Sequence, residues 1–244
     1  MSLLLDTYRR TRVLARQQFG LEPRVLVRGR LPLVFVGNDY CGWSIPVGCI
    51  GSQSLVVDVG LGEDISFSAA LIERHACAVH GFDPTPRAIA HAREVALKRF
   101  VLHEYGLAAQ GGPANFFMPN DSAHVSGSLS RTNRTGHTQI KVQLLSMAQM
   151  LERIGCTRIA LLKLDIEGAE YDLLLGDGFA KHAAGVDVLC IEFHHRWPEF
   201  GPAATKAAVR RLVELGFVCI WSQSTTNEEF TFVRRQAFPS LLVA

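Results

Sequence analysis

From Leu55 onward, short apolar runs alternate with stretches whose apolar residues recur every three or four positions. The apolar runs, bounded by Gly and Asp, predict strands at residues 55–59, 76–82, 100–105, 140–143, 159–164, 186–193, 217–221 and 229–234. The stretches between them predict helices at 65–74, 87–98, 146–153, 169–175 and 203–215. Strands that alternate with helices form βαβ units, whose crossovers are right-handed, so the expected fold is α/β: a Rossmann-like, doubly wound, mostly parallel sheet. The last two strands have no helix between them, which predicts a hairpin and an antiparallel C-terminal edge.

Other periods appear outside that rhythm. Residues 2–18 read as an amphipathic helix with Leu4, Leu5, Tyr8, Val13 and Leu14 roughly on one side, expected to cover the sheet or contact a subunit. Strand candidates at 24–27 and 33–36, a turn-rich Gly37–Gly42 and an extended piece to Ile50 complete a lead-in over residues 1–53. The main α/β domain is then expected over 54–244. Residues 106–139 read as a long surface loop with one possible strand at 114–118, of the kind that forms lids and binding segments.

Composition narrows the class. At 244 residues, 48% hydrophobic and 20% charged, the chain can bury one core without disulfide staples. A net charge of +2 with scattered arginines argues against a nucleic-acid partner. Six cysteines without a CxxC pair suit a reducing cytosol and no structural zinc. The first residues bring charge after only three leucines, unlike a signal peptide, and no run is long enough to span a bilayer. The expectation is a soluble cytoplasmic protein with no membrane partner.

Two segments carry candidate chemistry. The first is Asp58-Val-Gly60-Leu-Gly62, a glycine turn between a strand and a helix, where backbone can approach a ligand closely. Ile65 stands where a dinucleotide fingerprint needs its third glycine, and Asp58, Glu63 and Asp64 would repel a diphosphate. The acidic surroundings suit S-adenosylmethionine, a sulfonium with an ammonium group. Asp83, at the end of the next strand, is placed to accept ribose hydroxyls, or else to cap the following helix. The segment from His103 to Gly106, with Tyr105, is the expected neighbourhood of the adenine. The cofactor-binding candidates are therefore Asp58, Gly60, Gly62, Glu63, Asp83 and Tyr105.

The second segment is Leu161-Leu-Lys-Leu-Asp-Ile-Glu-Gly-Ala-Glu170, a buried strand ending in acids where open α/β sheets bind ligands. Asp165 and His194, at the ends of two strands expected to be neighbours, are the catalytic candidates for positioning or deprotonating an acceptor, with Glu192 in support. Helix capping is the alternative for Asp165 and Glu167, while Glu170 and Asp172 read as structural or helix-surface groups. Asp165, Glu192 and His194 could also hold magnesium or manganese, although no compact metal-binding spacing is present and no divalent cation is expected. Ser122, His124, Ser126, Ser128, Arg131 and Arg134 are candidates for acceptor recognition from the long loop.

The elements Val57-Asp-Val-Gly60, Gly62-Glu-Asp-Ile-Ser-Phe67, Phe82-Asp-Pro84, His124-Val-Ser-Gly-Ser128, Leu162-Lys-Leu-Asp-Ile-Glu-Gly-Ala-Glu170 and Ile191-Glu-Phe-His194 resemble the FkbM family of S-adenosylmethionine-dependent methyltransferases. The resemblance runs from about Asp39 to the C-terminus. The Lys163–Glu170 element is its most specific part. Its glycine turn reads Gly-Leu-Gly-Glu-Asp where many members have Gly-Ala-Asn-x-Gly. The resemblance implies a Rossmann-like domain and, commonly, O-methylation of hydroxyls on sugars or natural-product scaffolds, so a small-molecule or glycan acceptor is the expected partner. A nicotinamide-dependent oxidoreductase and a degenerate methyltransferase fold acting as a binding module are the alternatives.

Overall fold

Seven of the apolar runs pair into one sheet because each must hide both of its faces, and helices or a hairpin on either side do so. The computed structural model describes residues 2–119, 127–129 and 135–239. The chain begins with α1 (Ser2–Gln18) and the hairpin β1 (Leu33–Val36) and β2 (Trp43–Pro46). Next come β3 (Leu55–Val59), α2 (Ser66–His75), β4 (Ala78–Phe82), α3 (Pro86–Val95) and β5 (Phe100–His103). Three further strands follow, β6 (Gly106–Leu107), β7 (Gly112–Pro119) and β8 (Thr135–Leu145). The second half runs α4 (Met147–Ile154), β9 (Ile159–Leu164), α5 (Ala169–Leu175), α6 (Asp177–His182), β10 (Val186–Glu192), α7 (Gly201–Glu214), β11 (Phe217–Ser222) and β12 (Glu229–Arg234).

The main sheet has the order β11-β12-β10-β9-β3-β4-β5. All its pairings are parallel except those of β12, which enters as the return arm of the C-terminal hairpin between β10 and β11. Alternate strand residues serve two cores. Val57, Val59, Leu162, Leu164, Leu189 and Ile191 pack with the buried faces of α4 to α7, while Val56, Leu161, Val188 and Cys190 pack with Phe67 and Leu71 of α2 and with the β1–β2 hairpin. Each of these fully buried aliphatic side chains contributes about 1.5–3 kcal/mol from leaving water.

Three expectations change in the structure. Residues 24–27 form no strand; the segment reaches the edge strand β11 through Arg28 N–H, which donates to the Cys219 carbonyl at 2.9 Å. Residues 106–139 are not a single loop: β6, β8 and β7 make a second, three-stranded sheet, and residues 140–143 belong to it rather than to the main sheet. Ala108, Phe116, Val142 and Leu144 give that sheet a small core of its own. The third change concerns α1, where Val13 is buried but Leu3, Leu4, Leu5, Tyr8 and Leu14 are exposed, so the helix does not cover the sheet. Among the described residues no helix is long and apolar enough to cross a membrane.

The lead-in is held by a buried carboxylate. Glu22 accepts from His195 Nε2 at 2.6 Å, Arg196 Nε at 2.9 Å, Arg16 Nε at 3.1 Å and Asn227 Nδ2 at 3.2 Å. Burial works against its charge, but the hydrogen bonds from His195, Asn227 and Arg196 outweigh it and hold the pKa at about 2. Because that is below the ordinary value of 4.5, the stabilisation is complete above pH 4.5 and is lost as pH falls toward 2. Denaturant unfolding is expected to show that loss in the parent protein. Glu22→Ala, which strands His195 and Arg196, should lower stability at neutral pH by about 3 kcal/mol.

Candidate active site

A cleft of about 640 Å³ opens at the carboxyl ends of β3, β4, β9 and β10, the position a doubly wound sheet reserves for ligands. Its walls are the glycine turn after β3, the acidic turn after β9 and the Asp39–Trp43 segment before β2. Eight of its lining side chains among the described residues are carboxylates, and Lys163 is the one cation.

Asp58 and Lys163 occupy directly opposed register positions on β3 and β9. Their side chains form an ion pair at 3.1 Å with both groups almost fully buried. Lys163 Nζ also donates to the Gly60 carbonyl at 3.0 Å, and Ser68 Oγ of α2 donates to Asp58 at 2.7 Å. Burial disfavours the ammonium, yet Asp58 and the neighbouring Asp165 raise its pKa above the ordinary value and hold Lys163 in its charged form. Asp58 is therefore a support beneath the glycine turn and does not line the cleft. Lys163, passed over in the sequence reading, had one available signal: two charged residues in two otherwise apolar neighbouring strands must find each other.

Gly60 and Gly62 line the cleft with φ of +84° and +56°. At Gly60 a Cβ would fall 1.7 Å from the Asp165 carbonyl oxygen, so the glycine turn and the acidic turn touch through backbone and only glycine fits between them. Asp83 lines the cleft, and its two oxygens accept from Leu61 N–H at 2.9 Å, Gly62 N–H at 3.2 Å, Thr85 N–H at 2.8 Å and Thr85 Oγ1 at 2.6 Å. Burial raises its pKa against those four bonds. It thus ties the glycine turn to the start of α3, where Thr85 is the residue at the cap position and Pro86 the first helical residue. Glu63 lines the cleft with its carboxylate paired to Arg87 at 2.6 Å. Tyr105 does not line it; Arg153 covers its ring at 4.2 Å, and Gly106 takes the cleft position instead.

The turn after β9 passes through two left-handed residues, Glu167 (φ +52°) and Gly168 (φ +97°). This bend sets Asp165 and Glu167 in the cleft and lets buried Glu170 reach back to Gly168 N–H at 2.9 Å. Glu170 also accepts from His194 N–H at 3.1 Å and contacts His194 Nδ1 at 2.9 Å. His194 Nε2 lies 3.1 Å from Glu167 and 3.8 Å from Asp165. Burial works against its charge, but Glu170 and Glu167 raise the His194 pKa well above 6.5, which makes it an imidazolium engaged at both nitrogens. Burial, with Glu167 nearby, pushes Asp165 up to about 6, although Lys163 opposes the shift. Glu192 lines the cleft beside its register partner Glu229, and burial and Asp165 raise its pKa well above 4.5.

Donor atoms of Asp165, Glu167 and His194 lie within 4.8 Å of one another, a separation from which a divalent cation could be held. Glu192 is outside that group, contrary to the set expected from sequence. Ser128 is buried, and its hydroxyl donates to the Glu167 carbonyl at 2.7 Å, which pins the second sheet to the acidic turn. Ser122, His124, Ser126, Arg131 and Arg134 lie outside the described residues. The Asp39–Trp43 segment, read from sequence only as a turn, supplies exposed Tyr40 at the cleft wall, and Asn38 just before it donates through Nδ2 to Asp64, in the turn ahead of α2, at 2.7 Å.

Residues 58–219 match a family model described as the methyltransferase FkbM domain. No curated protein sequence matches the chain. Among solved structures, an rRNA methylase from Streptococcus thermophilus is 12% identical with a TM-score of 0.42, over 75% of this chain and 87% of that one. Fibrillarin from Aeropyrum pernix, in complex with natively bound S-adenosyl-L-methionine, is 9% identical with a TM-score of 0.41, over 87% and 85%. The fibrillarin pre-rRNA processing protein of Methanococcus jannaschii is 12% identical with a TM-score of 0.44, over 77% and 69%.

Lys163→Met, which leaves Asp58 buried without its cation, is expected to cost about 3–5 kcal/mol in chemical denaturation. Adding Asp58→Leu should recover a good part of that loss, since the double variant buries no lone charge. Gly60→Ala should weaken cofactor binding measured by calorimetry, because the added methyl must push the Asp165 backbone away.

Proposed function

Because the chain belongs to the FkbM methyltransferase family, a Rossmann-like S-adenosylmethionine-dependent fold, we propose that it O-methylates a hydroxyl on a sugar, glycan or natural-product small molecule. The observation that carries this reading is Asp165: a cleft carboxylate with its pKa raised toward neutrality, in backbone contact with the glycine turn.

The cleft suits the cofactor. Glycines with positive φ and an excess of carboxylates around one lysine favour close approach by a group bearing both a sulfonium and an ammonium. Gly60, Leu61, Gly62 and Asp83 would hold it, with Asp83 exchanging part of its present hydrogen-bond set for ribose hydroxyls. When bound, the cofactor supplies an electrophilic methyl group.

The remaining work is alignment and proton removal. An alcohol is a poor nucleophile until its proton leaves, and a carboxylate with a pKa near 6 accepts that proton close to physiological pH. His194 was the other candidate base, but an imidazolium engaged by Glu170 and Glu167 has no lone pair to offer, so its part is to fix the acidic turn. The acceptor proton passes to Asp165, and the cleft walls hold the hydroxyl in line while excluding water. Glu192, with its raised pKa, can remain protonated and donate a hydrogen bond to a neighbouring acceptor oxygen.

Transfer of a labelled methyl group to a panel of sugars, glycans and polyhydroxylated small molecules tests the reading. Formation of a methyl ether supports it, and exclusive N- or C-methylation would overturn it. Asp165→Asn should lower kcat about a hundredfold or more while cofactor affinity changes little. Because the base acts only when deprotonated, kcat should fall as pH drops below about 6, and Asp165→Asn should abolish that limb.

A further inference from the structure

A second concavity, remote from the cleft, is a groove of about 300 Å³ between residues 24–28, α7 and the start of β11. β10 and β11 are each antiparallel to β12 and therefore point the same way, so the groove lies at the end of the sheet opposite the cleft. The two share no lining residue.

One wall of the groove comes from helical spacing. Lys206, Val209, Arg210 and Val213 recur at intervals of three and four, so they share a face of α7, about a third of a turn from the stripe Thr205, Ala208 and Leu212 that enters the core. From Lys206 to Val213 this wall is about 10 Å long at the helical rise per residue. The facing wall is residues 24–28, held to β11 where Arg28 N–H donates to the Cys219 carbonyl at 2.9 Å. Buried Phe217, Cys219 and Phe232 lie beneath. Leu26 and Val213, one on each wall, are 54% and 55% exposed, apolar surface that the fold itself leaves in water.

The charged lining is Arg24, Arg28, Lys206, Arg210 and Arg235, with no acid. None of these five side chains makes an ion pair or side-chain hydrogen bond among the described residues. Cations just outside the groove differ: Arg211 pairs with Asp177 and Glu214, and Arg234 with Asp187. Like charges gathered around an apolar slot repel one another, and an anion seated among them removes that repulsion.

We propose that the groove binds a single-chain anionic amphiphile, with its alkyl chain laid along the floor between α7 and residues 24–28 and its carboxylate or phosphate head held by the arginines. Other occupants use only half of the site. A small inorganic anion gains nothing from the apolar floor, and an uncharged chain leaves five cations uncompensated. An added peptide strand lacks a full edge to pair with, because Arg28 already occupies the Cys219 carbonyl. A second copy of the chain would set these cations against each other across a two-fold axis. The groove is at the small end of ligand sites, which suits one alkyl chain. The proposal stands independently of the methyl-transfer reading.

Calorimetric titration of the full chain with decyl phosphate and with decanoate, each below its micelle-forming concentration, is the test. The tighter binder is expected to saturate at one molecule per chain. It should bind at least about tenfold more tightly than decyl maltoside, which has the chain without the charge, and than inorganic phosphate, which has the charge without the chain. Arg24→Glu with Arg210→Glu, and separately Val209→Ser with Val213→Ser, should each weaken that binding about tenfold while thermal unfolding stays unchanged. Shortening the ligand from decyl to hexyl phosphate should weaken binding to the parent chain at least about tenfold, a readout that needs no variant to fold. Absence of saturable binding would overturn the proposal, as would equal affinity for decyl maltoside or inorganic phosphate, indifference to chain length, or parent-like affinity in both variants. Association with phosphatidylglycerol vesicles without binding of the free decyl ligands would also overturn it and assign the groove to a membrane surface.

Discussion

The buried Asp58–Lys163 ion pair is the constraint on which the site depends. It sits at matched positions of two central strands, so the pairing that hides both charges also sets β3 against β9. An ion pair in an apolar layer contributes little net stability against a hydrophobic equivalent, but it penalises any arrangement that separates its members. Lys163 extends the constraint to the Gly60 carbonyl, and Ser68 extends it to α2. Since Gly60 also abuts the Asp165 backbone, the glycine turn and the acidic turn cannot move independently.

Electrostatics divides the work among the carboxylates above that pair. Glu170 is buried and spends its oxygens on Gly168 and His194, which fixes the bend after β9. Glu167 closes the other side of the imidazolium. Asp165 lies farther from His194, shares the cleft with Glu192 and carries a pKa raised by burial. Like charges crowded into a partly desolvated cleft push pKa values upward. The same negative surroundings make a strongly anionic acceptor a poor occupant of the cleft.

Charge asymmetry extends to the whole molecule. Acids collect around the cleft at the carboxyl end of the sheet, whereas Arg24, Arg28, Lys206, Arg210 and Arg235 line a groove at the amino end of β11. Glu22 joins the two regions, because it receives hydrogen bonds from the lead-in through Arg16 and from the residues after His194 through His195 and Arg196.

Periodicity alone determined the main sheet. Its strands are short, apolar and separated by amphipathic helices, so local pattern and global fold agree, and the β9 and β12 spans match expectation to the residue. Composition also singled out the glycine turn, Asp83 and the Asp165–Glu170 run, because charged residues ending buried strands have few other uses. Four things required the tertiary structure. The second sheet was hidden because glycine-rich and polar strands read as a loop until β6 and β7 are seen to pair with β8. Asp58 looked like a cofactor contact until the register put Lys163 opposite it. His194 looked like a free base until the bend after β9 placed Glu170 and Glu167 at its two nitrogens. The apolar stripe read along α1 did not become a buried face: Val13 is buried, while Leu4, Leu5, Tyr8 and Leu14 are exposed. Sequence determines what each segment must bury; which charge meets which, and which face meets solvent, depends on contacts between residues far apart in the chain.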